Sequence, residues 1–183
     1  MVSVSAEQRL ERLWAVHEIR QLAYRYAHAF AVRDRELMLS LWAETDAPVA
    51  LPAIDGHRLR ADVDAWFAAF GAVLLHVTNH VIEFDSDETA TGEVHCLGQI
   101  ELGHQFVDQT ILYRDRYRRT ADGWRFASRA HLLWFGQERE RHPLRQPPAH
   151  WPRRQVGRGL LIDQPARARE DAGRQARRKE RRP

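Results

Sequence analysis

Cysteine and lysine are almost missing from this chain: among 183 residues, Cys96 is the one cysteine and Lys179 the one lysine. A lone thiol excludes an internal disulfide and any cysteine-rich metal site. Apolar runs of 18 residues or more are missing too, which excludes a membrane-spanning helix. The opening stretch "MVSVSAEQRLERLW" is polar and amphipathic where a secretory leader would carry an apolar segment, so the expected compartment is the cytoplasm. There is no glycine-rich phosphate loop, no G-x-S-x-G, no H-E-x-x-H and no aromatic ribonucleoprotein motif. Those absences set aside nucleotide-binding loops, serine hydrolases of the elbow type, helix-borne zinc proteases and sheet-stacking RNA binders.

What is present suits one soluble domain with a substantial core: 44% of the residues are hydrophobic in a chain too short for two ordinary domains. The small net charge of +3 hides an asymmetry. Residues 137–183 hold 14 Lys+Arg against 6 Asp+Glu, so this Pro/Arg-rich extension is basic by eight charges and residues 1–136 are acidic by five. The ending "ARAREDAGRQARRKERRP" has few apolar side chains to offset chain ordering, and the expectation is a largely disordered extension. Clustered arginines can neutralise phosphates, but no aromatic is interleaved to stack bases, which makes nucleic acid an unfavoured partner.

Periodicity divides the rest. Ser5 and Gln8 have capping-box spacing, and Leu10, Leu13, Val16, Ile19, Leu22, Ala23, Tyr26, Ala27 and Phe30 recur at helical intervals. Asp34 can cap a second helix over "RELMLSLWA", residues 47–54 read as an edge strand or irregular segment, and a third helix is expected over about 61–70, ending near Gly71. From Val77 the period becomes two. Strands over about 77–84, 89–102, 106–119 and 124–135 are separated by the hairpin signals "DSDE", "GHQ" and "TADG". Helices followed by a meander give an α+β class, with the N-terminal helices covering the concave face of a curved, cone-like antiparallel sheet.

That order, with "EIRQLAYRYAHAFAVRDRELMLSLWAE" first, "HVTNHVIEF" in the middle and "YRDRYRRTADGWRFASR" closing the sheet, resembles the SnoaL-like branch of the nuclear transport factor 2-like superfamily. Within it, "HVTNHVIEF" and "GEVHCLG" are similar to hexachlorocyclohexane dehydrochlorinases and, more distantly, to scytalone dehydratases, with one residue missing between His76 and Phe84. The resemblance implies a pocket under the helices, no cofactor, no metal, and proton-transfer chemistry on small hydrophobic molecules. It places the general base at His76. The aspartate that should orient that base falls on Ala31, and the dehydratase's second histidine on Ile100, so the dyad is incomplete. Tyr26, His28 and Asp34, on or beside the same helix end, are the groups expected to compensate.

Alternation sorts the remaining candidates. If Val94 and Cys96 face the pocket, as the resemblance implies, then Ile100 joins them while His95 and Leu97 point outward. Gln109, Ile111, Tyr113 and Asp115 form one set on the next strand, and an inward Arg129 could hold an anionic leaving group. Phe30 and Trp42 complete the expected pocket lining. On a regular strand His76 and His80 share a face about 13 Å apart, too far for one metal ion. Outward apolar residues, Leu97 and Leu112 among them, suggest a sheet-face homodimer or higher homo-oligomer. Two functions fit: a cofactor-independent lyase, isomerase or cyclase with His76 as base, or a non-catalytic protein that binds a small ligand or mediates assembly.

Overall fold

Side chains near its own ends fix the first helix. In the computed structural model, which describes residues 5–43, 53–55 and 59–145, the Ser5 hydroxyl accepts from Gln8 N at 3.1 Å and the Gln8 side chain accepts from Ser5 N at 2.9 Å. This reciprocal cap starts α1, Ala6–Val32. Arg33 ends it in the left-handed region, φ 58°. Its guanidinium then reaches across to the carbonyls of Phe67, Phe70 and Gly71. Asp34 caps α2, Arg35–Ser40, accepting from Leu37 N at 2.9 Å.

The stripe read along α1 is only partly used. Ile19, Leu22, Ala23, Tyr26, Ala29 and Phe30 are buried, whereas Leu10, Leu13 and Trp14 are each more than 60% exposed. The apolar period runs on past the part of the sheet that covers the helix.

Five antiparallel strands make one sheet in the order β1-β5-β4-β3-β2: β1 Ala53–Asp55, β2 Phe70–Phe84, β3 Thr89–Leu102, β4 Gln105–Thr120 and β5 Gly123–Glu138. Helix α3, Leu59–Ala69, leads directly into β2. Here two expectations are corrected. The apolar run from Phe70 to Leu75 is strand, so β2 begins seven residues before Val77, and Gly71 lies inside it instead of terminating a helix. The helix is stopped from outside: Arg33 takes carbonyls at its C-terminal end, a long-range contact that local sequence cannot announce. Of residues 47–54, only 53 and 54 are described, and they belong to the short edge strand β1; 44–52 lie outside the described residues.

The hairpins fall where the turn residues put them. Gly103 at φ 59° and Gly123 at φ 99° supply the left-handed conformations of the second and third, which a side chain would strain. Between β2 and β3 the Ser86 hydroxyl accepts from the backbone N–H groups of Glu88 and Thr89, folding the turn on itself. β5 runs on past Gly136 to Glu138, and Arg139 N donates to Phe106 O at 2.8 Å. The first compact unit closes at Glu140. The second unit contributes one described element, the 3-10 turn Pro143–Arg145, and the arginine-rich ending lies outside the described residues. Among the described residues no helix is long and apolar enough to cross a membrane.

One irregularity decides what faces the interior. Val77 pairs with Cys96 and His80 with Val94, so β2 spends three residues where β3 spends two. An extra residue in one strand of an antiparallel pair reverses the facing of everything beyond it. Val73, Leu75 and Val77 face α1 before the bulge; His80, Ile82 and Phe84 do so after it. The two histidines, expected on one face, lie on opposite faces.

Candidate active site

The inward face of the sheet gathers polar groups at its middle. His80 of β2, Tyr117 and Asp115 of β4 and Arg129 of β5 meet beneath Tyr26 of α1. Their alignment follows from cross-strand register. Ile82, Gly92, Asp115 and Arg129 lie in one row across four strands, and His80, Val94, Tyr113 and His131 in the next.

Arg129 and Asp115 form a buried, two-pronged ion pair: Nε donates to Oδ1 at 2.8 Å and Nη2 to Oδ2 at 2.7 Å. Neither side chain is more than 1% exposed. Three aromatic rings surround the guanidinium, with Cζ 4.2 Å from the Tyr113 ring centroid and 4.4 Å from those of Tyr26 and Phe126. Burial disfavours the charge of Arg129, but Asp115 outweighs that effect and raises its pKa, so the guanidinium stays protonated. Burial also pushes Tyr26 up to about 12 and Tyr113 well above the usual phenol range. At neutral pH both are hydroxyls, available as donors and not as nucleophiles.

A hydrogen-bond chain leads outward from the pair. The Tyr117 hydroxyl donates to Asp115 Oδ2 at 2.6 Å, and His80 Nε2 lies 3.0 Å from the same hydroxyl oxygen. The other ring nitrogen, His80 Nδ1, is buried without a hydrogen-bond partner among the described residues. Burial is the main reason the His80 pKa falls to about 4; Asp115 opposes that shift, and Arg129 and Arg20 reinforce it. His80 is therefore neutral across the physiological range. Trp42 Nε1 and Gln109 Oε1 are likewise buried and without a partner among the described residues.

A glycine makes the His80–Tyr117 contact possible. A Cβ on Gly92 would stand 3.0 Å from Tyr117 Cε2, 3.0 Å from Val81 O and 3.1 Å from His80 Nε2. One of these three is backbone and cannot swing away. Gly92→Ala is expected to cost about 1–3 kcal/mol through overpacking, measured as a lowered urea midpoint with an unchanged slope; stability equal to wild type would contradict this packing.

The depressed pKa of His80 makes a second prediction. A folded-state pKa below the unfolded value means that the unfolded chain binds the extra proton, so the stabilising contribution is whole above pH 6.5 and is lost as pH falls from 6.5 through about 4. His131, held low by burial and then by Arg129, acts in the same direction. The His80 share is therefore the difference between wild type and His80→Gln. Unfolding free energies measured across that window should converge as pH falls, and parallel curves would count against a buried neutral imidazole.

Several expected site residues lie elsewhere. His76 is exposed on the outward face, opposite Leu97, because it precedes the bulge; the expectation that it projects under the helices is corrected. His28 is exposed on α1. Asp34 is exposed and engaged in capping α2. Ala31, at the end of α1, is partly buried and offers no polar atom. The others are interior: Tyr26, Phe30, Trp42, Val94, Cys96, Ile111, Tyr113 and Arg129 are all buried. Cys96 is a core thiol whose pKa burial raises to about 11. Arg129 is inward as considered, but two of its nitrogens are committed to Asp115. Leu112 faces outward yet is buried, so it adds nothing to an exposed patch. Among the described residues no group of three or more His, Cys, Asp or Glu is placed to hold a metal ion.

Sequence reasoning missed His80 and Tyr117. Tyr117 was in reach, since alternation through Tyr113 and Asp115 continues to it. His80 was not, because one extra residue in β2 leaves no mark in the apolar pattern.

Comparison with known proteins agrees with this architecture. The family described as SnoaL-like domain matches residues 11–130. The hexachlorocyclohexane dehydrochlorinase LinA, type 2, superposes with a TM-score of 0.61 at 19% identity, covering 81% of this chain and 99% of its own. A candidate scytalone dehydratase from Novosphingobium aromaticivorans gives 0.60 at 14%, covering 72% and 92%. A Kribbella flavida protein, Kfla4162, gives 0.59 at 24%, covering 69% and 95%. At such identities the likeness shows the fold alone. No curated protein matches the chain.

Proposed function

Because the chain belongs to the SnoaL-like domain family, we propose that it is a cytoplasmic, cofactor-free lyase, isomerase or cyclase acting on a small hydrophobic molecule beneath its helices, with His80 as the proton acceptor. The observation that carries this reading is His80 Nδ1, a buried ring nitrogen with no partner among the described residues. Unsatisfied buried polar atoms are costly and rare, and functional sites are where they persist. In an elimination the substrate proton goes to Nδ1. The C–H electron pair becomes the new double bond, and the leaving group departs with its own bonding pair. In this reading the buried hydroxyls of Tyr26 and Tyr113 would polarise the substrate as donors, and the core side chains Phe30, Trp42, Val94, Cys96 and Ile111 would form apolar walls around it. Arg129 serves this reading through Asp115, not as the anion site once expected of it.

The names of the structural neighbours supply the first probes: chloride release from hexachlorocyclohexane and dehydration of scytalone. Turnover that disappears in His80→Ala and survives in His76→Ala is the expected result; turnover that needs His76 instead would overturn the assignment. One observation favours a second reading. A nitrogen with a pKa near 4 is a weak base but a sound hydrogen-bond acceptor, which suits a protein that holds a hydroxylated ligand without converting it. Ligand binding weakened by His80→Ala, with no turnover of either probe, would select that reading.

For the outward face we propose a second copy of the chain as partner. Leu97, Trp134 and Phe135 are 49–65% exposed there, and the Trp134 ring stacks edge-on against His95. Trp134→Glu should reduce the mass measured by light scattering from dimer to monomer. A wild-type monomer at micromolar concentration would remove the proposal.

A further inference from the structure

We infer that Tyr117 and Asp115 are positioning residues that lock His80 in one tautomer and connect it to a buried negative charge; this rests on the reading of His80 as the proton acceptor. A carboxylate paired with Arg129 has only acceptor sites, so the hydroxyl 2.6 Å from Asp115 Oδ2 must donate to it. Its one proton spent, Tyr117 presents only lone pairs to His80 Nε2 at 3.0 Å. Nε2 therefore carries the ring proton and Nδ1 is the bare lone pair. The direction of the chain starts at Arg129, which donates to both oxygens of Asp115, and each donor forces the next.

The same chain stabilises the charged form without passing a proton along it. When Nδ1 takes a proton, Nε2–H still donates to Tyr117 and Tyr117 still donates to Asp115. The new positive charge is met through the hydroxyl by the carboxylate, while Arg129 on the far side opposes it; both influences act on His80 in these directions. A tyrosine spacer thus places the orienting carboxylate on β4, two bonds removed from the imidazole, and Gly92 leaves the room in which spacer and ring meet.

The test is nitrogen-15 NMR of ring-labelled histidine in the full-length protein at pH 7. Wild type should show His80 as a single tautomer, Nε2 protonated and exchange-protected, Nδ1 with the shift of a bare lone pair. In Tyr117→Phe the protected Nε2–H signal should be lost and the two ring nitrogens should move toward averaged shifts. A wild-type ring protonated at Nδ1, or averaged between tautomers, overturns the inference without need of any variant. So does a Tyr117→Phe spectrum identical to wild type. Because the readout is spectroscopic, a locked tautomer in a protein that turns over neither probe would sink the enzymatic reading and leave only the tautomer lock standing.

Discussion

Arg129→Met should lower the free energy of unfolding by about 3–5 kcal/mol, because it strands a carboxylate in the interior. Asp115 is buried, and its oxygens are held by Arg129 and Tyr117, so the substitution removes two charge-assisted bonds from a carboxylate out of contact with solvent. The same substitution removes the cation around which Tyr26, Tyr113 and Phe126 are arranged, and a flexible thioether fills that space without the directional attraction. Asp115→Leu should be destabilising by a similar amount, since it strands the guanidinium and leaves the Tyr117 hydroxyl without its acceptor. The double variant is expected to recover much of either loss: replacing both members of a buried pair by apolar groups is often near neutral. Urea unfolding of the four proteins gives the coupling. Additive losses would mean that the two groups are stabilised separately, contrary to the bidentate geometry.

The second large effect is kinetic. If Nδ1 of His80 is the proton acceptor, His80→Ala should reduce turnover of any eliminated substrate by about 10²–10⁴-fold, the range that a positioned general base contributes. Because the imidazole is neutral above a pKa of about 4, the wild-type rate should show no histidine-like loss between pH 8 and 5. His76→Ala, on the exposed face, should leave turnover within a factor of about two, as surface substitutions far from the chemistry do. Equal losses in both variants would put the histidines in one site, which the sheet does not allow.

Much of this architecture could be read from residues alone, and the exceptions have a common cause. The capping box at Ser5 and Gln8, the Asp34 cap, the two left-handed glycine turns and the alternation of β3 and β4 are local signals, and each appears in the fold. Inward placement of Val94, Cys96, Ile111 and Tyr113 followed from the same alternation and the resemblance together. What could not be read depends on contacts distant in sequence. Arg33 ends a helix 34 residues away by taking its carbonyls. Arg129 could be called inward or outward until Asp115 was seen beside it. The bulge in β2 is the sharpest case. "HVTNHVIEF" reads as a plain strand with both histidines on one side, yet one unpaired residue sends His76 to solvent and His80 to the interior. Asp115, the carboxylate linked to His80 through Tyr117, comes from the middle of the sheet, where no helix periodicity could point to it.

The claim on which the rest stands is that the two imidazoles of "HVTNH" look in opposite directions. Short exposure of the native protein to diethyl pyrocarbonate, followed by peptide mass spectrometry, reads it directly. His76 should be modified rapidly and His80, on the inward face, much more slowly. Rapid modification of His80 with His76 protected would reverse the faces of β2 and contradict the account.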